Sequence, residues 1–265
     1  MPKCKSCGKF RLFLKLDTKG FCKECAERDA KRQQYLKWLN DEAKRELEDL
    51  PRYPITLSDA KLAHRLVSDL DDINFTNITP KGIYNEFVVF DTETTGLSTA
   101  RDKIIELAAI RFVNGQPREV FETFVNPGRA VPAEAAKVNH ITDDMLADAP
   151  TIAQVLPAFD AFVGKSNIVA HNLTFDLKFV HHAGSTLIDT KRKYYCTYEQ
   201  SKKLLKGPKY KHGELDYSDY DVYDHKLGTL CEYYHIIIPE QHRAAADAIA
   251  TGKLFLALVD ERQSK

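Results

Sequence analysis

The chain has no apolar run long enough to cross a bilayer. Nothing in its 265 residues approaches the roughly 18–20 consecutive apolar residues that a membrane span needs. No secretory leader is expected either, because Met1-Pro2-Lys3-Cys4 opens directly into charged residues with no apolar core segment. These absences predict a cytoplasmic protein with no membrane partner, so its six cysteines are read as thiols rather than disulfides. Net charge is missing as well, with 38 basic residues balancing 38 acidic ones. The balance removes the basic surplus expected of a protein gripping long duplexes, without excluding a local anionic ligand. No internal repeat is found. A hydrophobic content of 43% and a charged content of 29% describe ordinary globular material, enough for one substantial domain and an appendage.

Four of the cysteines form two C-x2-C pairs, Cys4-Lys5-Ser6-Cys7 and Cys22-Lys23-Glu24-Cys25, fourteen residues apart. Each pair is half of a tetrahedral thiolate site, and the spacing suits one structural Zn²⁺. Gly8 follows the first pair as a tight metal knuckle requires, and Ala26-Glu27-Arg28 reads as a helix start. The pattern resembles a zinc ribbon or treble clef. A redox role is disfavoured because no βαβ pattern surrounds the pairs. Residues 1–25 are therefore read as a Cys4 zinc-binding module. Lys3, Lys5, Lys9, Arg11, Lys15, Lys19 and Lys23 make it basic, which points to a nucleic-acid or protein partner more than to pure scaffolding. Residues 26–84 are read as a charged helix and linker. Over 26–50 there is no Gly or Pro, and Leu36, Leu39, Ala43, Leu47 and Leu50 recur near helical period, with Asp41 and Arg45 as an i,i+4 pair. Two readings stand: a helix that engages a polymerase, another protein or a second copy, and a spacer packed on its own chain. Pro51 and Pro54 end the helix. A short helix over 57–70 and an Asn/Thr/Pro/Gly-rich link follow, with no chemistry attached.

Residues 85–262 carry the pattern of the main domain. A strand at 87–91 is followed by apolar runs at Ile104–Val113 and Val120–Val125, and Asn114-Gly115 between them is a hairpin signal. Thr151 and Gln154 form a capping box ahead of a helix whose core face is Ile152, Val155, Leu156, Phe159, Phe162 and Val163. Ile168-Val169-Ala170 is a short buried strand leading into a helix near Phe175, and a last helix begins near Ala244. Strands first, then alternating helices and strands, predict an α/β fold with a mixed sheet and helices on both faces.

Chemistry concentrates at Phe90-Asp91-Thr92-Glu93-Thr94-Thr95-Gly96-Leu97. In a strand, residues i and i+2 share a face, so Asp91 and Glu93 project side by side from the end of a buried strand. Unpaired anions are costly there, and hard oxygen ligands favour Mg²⁺ or Mn²⁺. Downstream, Asp176 follows the strand at 168–170, while His242 and Asp247 bracket the start of the last helix. Taken singly, each has an ordinary reading: a surface acid, a histidine paired with a carboxylate, and an acid near a helix N-terminus.

Taken together, the Asp91–Leu97 segment, His171-Asn172-x-x-Phe175-Asp176 and His242-x-Ala244-x-x-Asp247 resemble the three motifs of the DEDDh 3′–5′ exonucleases. That family includes the proofreading subunit of bacterial replicative DNA polymerase. Val138-Asn139-His140-Ile141-Thr142 resembles a further family segment. The resemblance implies a ribonuclease H-like mixed five-stranded sheet, strands one to three antiparallel and the rest parallel to strand one. It implies two Mg²⁺ or Mn²⁺ ions held by Asp91, Glu93, Asp176 and Asp247, with His242 as general base. The substrate contacts it implies are Thr92, Thr94, Gly96 and Leu97, with Phe175 stacking on a base and Asn172 near a phosphate. Core packing for Leu97 and Phe175, and helix capping for Asn172, remain the plain alternatives. The activity so implied is removal of nucleoside monophosphates from a single-stranded or frayed DNA 3′ end. Trimming of RNA and a non-catalytic binding adaptor are the alternatives. One departure from the family is the stretch 207–225, with Tyr210, Tyr217, Tyr220 and Tyr223 among five acids. It is read as a solvated loop, with a lid or protein-binding role as the sharper possibility.

Overall fold

The computed structural model describes residues 4–7, 18–59, 62, 85–188, 192–211, 214–216 and 219–264. They fall into two compact units, Met1–Glu46 and Leu47–Lys265. Gly8, Tyr217 and residues 63–84, with most of the helix expected at 57–70, lie outside the described residues; Leu57, Ser58, Asp59 and Leu62 are not helical.

In the first unit the four C-x2-C cysteines gather beside helix α1 (Lys23–Glu48). The helix starts inside the second cysteine pair rather than after it, so Cys25 occupies its first turn. A run without Gly or Pro sustains it, and Pro51 follows its end. Arg45 does not pair with Asp41 as its spacing suggested. Its guanidinium meets Glu42 at 2.6 Å and gives only a 3.4 Å bond to the Asp41 carbonyl. The leucine stripe is not buried as a core face in this unit: Leu36 is exposed, while Leu39 and Ala43 are half-buried.

The second unit is built on strands β1 (Glu86–Thr94), β2 (Ile104–Val113), β3 (Gln116–Phe124), β4 (Asn167–Ala170) and β5 (Tyr194–Cys196), in spatial order β3-β2-β1-β4-β5. The first three are antiparallel, and β4 and β5 run parallel to β1. Asn114 and Gly115 both take positive φ, 50° and 76°, as the tight β2–β3 hairpin requires. Around the sheet lie α2 (Ala133–Asn139), α3 (Asp143–Leu146), α4 (Ile152–Val163), α5 (Leu173–Ala183), α6 (Thr197–Leu204), α7 (Leu227–Tyr233) and α8 (Ala244–Ser264). No helix among the described residues is long and apolar enough to cross a membrane.

Alternation along β1 divides the core. Val88 and Phe90 pack with α4 and α5, and Phe90 meets Phe159 edge-on at 5.5 Å. Phe87 and Val89 face α8, where Phe87 stacks on Phe112 and meets Phe255. The capping box opens α4 as expected, Gln154 Oε1 accepting the Thr151 N–H at 2.9 Å. Residues 50–53 do not behave as a linker. Leu50 is buried, Tyr53 N–H donates to the Val120 carbonyl (2.8 Å), and Val120 N–H donates to that of Pro51 (3.0 Å), covering the free edge of β3.

The stretch 207–225 is more than a solvated loop. It forms a hairpin of β6 (Lys209–Lys211) and β7 (Glu214–Asp216), and Val222 is buried with Leu205, Leu230, Leu254 and Leu258. Tyr220 and Tyr223 are exposed.

Close approach of α8 to the sheet depends on Gly252, where an added Cβ would sit 2.3 Å from the Phe112 ring. We expect Gly252→Ala to destabilise the domain by about 1–3 kcal/mol through overpacking, despite alanine's better helix propensity. Urea denaturation measures this, and an unchanged or raised midpoint would contradict it.

Candidate active site

The β1 alternation that sorts the core also aims the acids. Asp91 and Glu93 continue the Phe87–Val89 face toward α8, whereas Thr92 continues the Phe90 face toward α5. On the α8 side, ligand atoms of Glu93, His242 and Asp247 lie within 4.8 Å of one another. On the α5 side, Asp176 is buried, and its Oδ1 accepts bonds from the Thr92 N–H (3.0 Å) and hydroxyl (2.7 Å). Asp91 sits between, half-buried, and feels Asp176, Asp247 and Glu93 electrostatically. Together they line a cleft of about 570 Å³ with His171, Asn172, Phe175, Tyr198, Lys226 and Gln241.

Crowding and burial disturb every acid here. Burial, then the charges of Asp176, Asp247 and Glu93, hold Asp91 well above the ordinary carboxylate range. Glu93 is pushed up to about 8 by burial and the neighbouring Asp247 and Glu106, against a hydrogen bond from Asn139. Burial raises Asp176 and Asp247 to about 7, opposed by Thr92 in one case and by the His242 backbone N–H in the other. The histidines move the other way. Burial takes His171 down to about 4, and burial plus the nearby His140 lowers His242. Both imidazoles are therefore neutral at neutral pH.

Three residues to which the sequence assigned no role, Glu106, Arg243 and Asn139, hold the trio together. Glu106, 1% exposed, stands opposite Glu93 in the β1–β2 register. It takes the Arg243 guanidinium at 2.7–3.3 Å and the Ala244 N–H at 3.0 Å, capping α8 and anchoring it to β2. Arg243 also lies over the Phe124 ring. His242, just before, takes a left-handed φ of 63°, its N–H bonded to Asp247 Oδ2 at 3.1 Å. Asn139, buried, bonds Glu93 and accepts the Ile141 N–H. A signal for Glu106 was present: it is the only charge in the run Ile104–Ile110.

The expected substrate contacts divide. Thr92, Asn172 and Phe175 line the cleft, whereas Thr94, Gly96 and Leu97 are not among its lining residues. Thr94 bonds the Gly96 carbonyl, and Gly96 is backed by the Asp102 carboxylate, 2.6 Å from where a Cβ would stand. Leu97 is 86% exposed, so core packing does not account for it. Phe175 lines the cleft and also packs on Phe179 at 5.0 Å. Asn172 occupies the N-cap position of α5 in a left-handed conformation, but its side chain makes no capping bond.

The donor set fits hard divalent cations. Four carboxylates face the cleft, Lys226 is the one Lys or Arg among the described residues lining it, and Lys226 sits 3.6 Å from Asp224. Asp247 Oδ1 is buried without a hydrogen-bond partner, which is how a coordinating oxygen stands before its cation. In the N-terminal unit, ligand atoms of Cys4, Cys7, Cys22 and Cys25 also lie within 4.8 Å of one another. Backbone bonds at Cys7 and Cys22 draw the Cys4 thiol down to about 6, favouring thiolate.

A mixed sheet of this order with an acid-lined cleft at the end of β1 defines a ribonuclease H-like nuclease domain. Residues 88–255 match the RNase_T exonuclease family, and the chain belongs to that family. It is 37% identical over 193 residues to the DNA polymerase III PolC-type of Oceanobacillus iheyensis, covering 71% of this chain and 12% of that protein. It is 39% identical over 184 residues to a DNA polymerase III subunit epsilon-like protein of Rhodobacter capsulatus, covering 65% of this chain and 23% of that one. The chain thus spans about an eighth of the length of the PolC-type relative. In fold it is similar to exonuclease X in complex with 5′ overhanging duplex DNA (TM-score 0.50, 23% identity, covering 66% of this chain and 91% of that one).

Two outcomes follow from the electrostatics. Carboxylates with raised folded-state values bind more protons folded than unfolded, so their contribution is fully present below about pH 4 and is lost as pH rises through about 7–8. The metal-free chain should therefore melt at a higher temperature near pH ~5.5 than near pH ~8.5. Mn²⁺ should restore the loss at the higher pH, and Glu93→Gln should flatten the dependence. A melting temperature of the second unit that climbs with pH without metal would refute the assignment. Separately, Glu106→Gln removes the buried partner of Arg243, leaving only the exposed Glu240 at 3.6 Å, and should lower the unfolding free energy by about 1–3 kcal/mol, below the full scale for an unpaired buried charge. Chemical denaturation tests it, and a change within about 0.5 kcal/mol would show that the pair holds nothing.

Proposed function

We propose that this chain is a metal-dependent 3′–5′ exonuclease that releases nucleoside monophosphates from DNA 3′ ends. The observation that carries this reading is the convergence of Glu93, His242 and Asp247 beside Asp91 and Asp176, with a buried Asp247 oxygen left without a partner. Two Mg²⁺ or Mn²⁺ ions held by Asp91, Glu93, Asp176 and Asp247 would supply charge neutralisation at the scissile phosphate and an acidified water.

The chain's own residues do the rest. Thr92 holds Asp176 by two bonds, and the Arg243–Glu106 pair holds the start of α8, so the carboxylates are arranged before substrate arrives. His242, neutral because its value lies below the ordinary imidazole, accepts the proton of the attacking water at its ring nitrogen. Phe175 offers a ring face to a base in the cleft, a contact tolerant of sequence. Leu97, exposed on the turn beyond β1, is free to wedge against the terminal nucleotide.

DNA is favoured over RNA because the relatives of 37–39% identity bear DNA polymerase III names. Action alongside a polymerase, as proofreading, belongs to the same reading. In the N-terminal unit, Cys4, Cys7, Cys22 and Cys25 would hold one structural Zn²⁺, whose thiolates organise a segment too small for a core of its own. The domain boundaries that go with this reading are a zinc module over 1–25 and an exonuclease domain over 85–262.

Digestion of end-labelled single-stranded DNA, duplex DNA and RNA with Mg²⁺ or Mn²⁺ tests polarity and sugar preference together. We expect stepwise loss from DNA 3′ ends, and a kcat about 10²–10⁴-fold lower in His242→Ala, with DNA binding retained. The wild-type rate should fall with one protonation only once pH drops below the ordinary imidazole range, because burial and His140 lower His242. Absence of cutting with either metal would leave a binding adaptor, and cutting of RNA alone would transfer the assignment to RNA trimming.

A further inference from the structure

The neutral total conceals a division of charge. Residues 1–46 hold thirteen Lys and Arg against seven Asp and Glu, a net +6, and residues 47–265 hold twenty-five against thirty-one, a net −6. About four positive charges remain on the first unit even after a zinc-bound four-thiolate centre is counted. The unit that carries the acid-lined cleft is thus anionic overall and, at long range, repels a polyanion.

Helix α1 adds a second feature. Tyr35 and Trp38, one turn apart, stack on each other with ring centroids 5.9 Å apart and planes 22° from parallel. They are 58% and 52% exposed. A stacked aromatic pair left half in water is an unusual way to use surface on a charged helix. Arg28 and Lys31 precede the pair on the same helical face; both are exposed, and Arg28 also donates to Cys25 Sγ at 3.1 Å. Three nearby acids are engaged, Asp29 with Lys19 at 2.7 Å, Glu27 with Lys23 at 3.9 Å, and Glu42 with Arg45 at 2.6 Å, which leaves Asp41 as an exposed acid one turn beyond Trp38.

We propose that the N-terminal unit is a single-strand nucleic-acid-binding element, with Tyr35 and Trp38 as its base-stacking platform and the surrounding Lys and Arg as its phosphate contacts. Flat aromatic faces take any base, and a basic surround tracks the backbone. This complements an anionic catalytic unit, whose own cleft needs only to accept the last nucleotides. The inference rests on nucleic acid being the substrate class, as in the reading above. It extends that reading by giving the strand a second point of attachment on this chain.

Trp38 is the only tryptophan of the chain, so its emission reports on this element directly. The experiment uses the full chain carrying Asp91→Asn, zinc-loaded and without Mg²⁺, titrated with oligo(dT) over a salt series. We expect saturable quenching of Trp38 and an affinity that falls linearly with salt on a log–log scale. With labelled oligo(dT) and anisotropy as the readout, Tyr35→Ala and Trp38→Ala should each weaken binding about 5- to 150-fold. Lys31→Glu should reduce the salt slope by about 0.7, because the protein then neutralises one phosphate fewer on the single strand. These positions are exposed, so melting temperature and zinc content should stay at wild-type values. Emission unchanged by oligo(dT), affinity unchanged in Tyr35→Ala and Trp38→Ala, or equal quenching by polyglutamate would each overturn the proposal, the last in favour of an acidic protein partner. The two readings fail separately. A wild-type chain that cuts DNA while Trp38 stays silent sinks this inference alone, and one that binds through Trp38 but does not cut sinks only the exonuclease assignment.

Discussion

Like charge packed into a poorly hydrated place is the constraint around which the second unit is organised. Asp91, Glu93, Asp176 and Asp247 converge at the end of β1, and burial together with mutual repulsion raises the proton affinity of each. Such a cluster persists only where the surrounding structure over-determines it. Thr92 holds Asp176, Asn139 holds Glu93, and the His242 backbone N–H holds Asp247. Each bond stabilises the charged form of its acid and so opposes part of that rise, leaving less for a cation to offset.

Glu106 shows how close to electrostatic failure this arrangement runs. A fifth acid faces Glu93 across the sheet and makes the local repulsion worse. It is tolerated because Arg243 neutralises it and the first N–H of α8 bonds it. The same pair anchors to β2 the helix that carries Asp247. Alanines at 244–246 and Gly252 let that helix lie close against the sheet, so the distance from β1 to Asp247 is set by packing on one side and by the ion pair on the other. Stability and function draw here on one set of contacts.

The two units treat charge in opposite ways. The second concentrates anions where cations and a phosphate would meet, and the first exposes cations and stacked aromatic rings. A zero total is the sum of these two surfaces and describes neither. The segment 207–225, which departs from the usual pattern, is held by its own hairpin and by Val222 in a small apolar cluster, so it is a built part of the domain rather than slack between helices.

Much of this was legible in the chain. Two-residue alternation over Phe87–Glu93 placed Asp91 and Glu93 on one face, Asn114-Gly115 placed the hairpin, and Thr151 with Gln154 placed the start of α4, because each depends on backbone geometry within a few residues. The order of the motifs was enough to name the family and the five-stranded sheet. What escaped depends on residues distant in sequence. Glu106 and Arg243 are 137 positions apart, and neither announces the other. The bond between Asn139 and Glu93, the exposure of Leu97 and the edge pairing of residues 51–53 with β3 likewise follow only from which surfaces meet. The sequence by itself determined which acids and histidine could meet at the end of β1, since residue type and local period decide charge and direction. Only the tertiary structure decided how those charges are held, since burial and long-range pairing exist only once the chain has closed on itself.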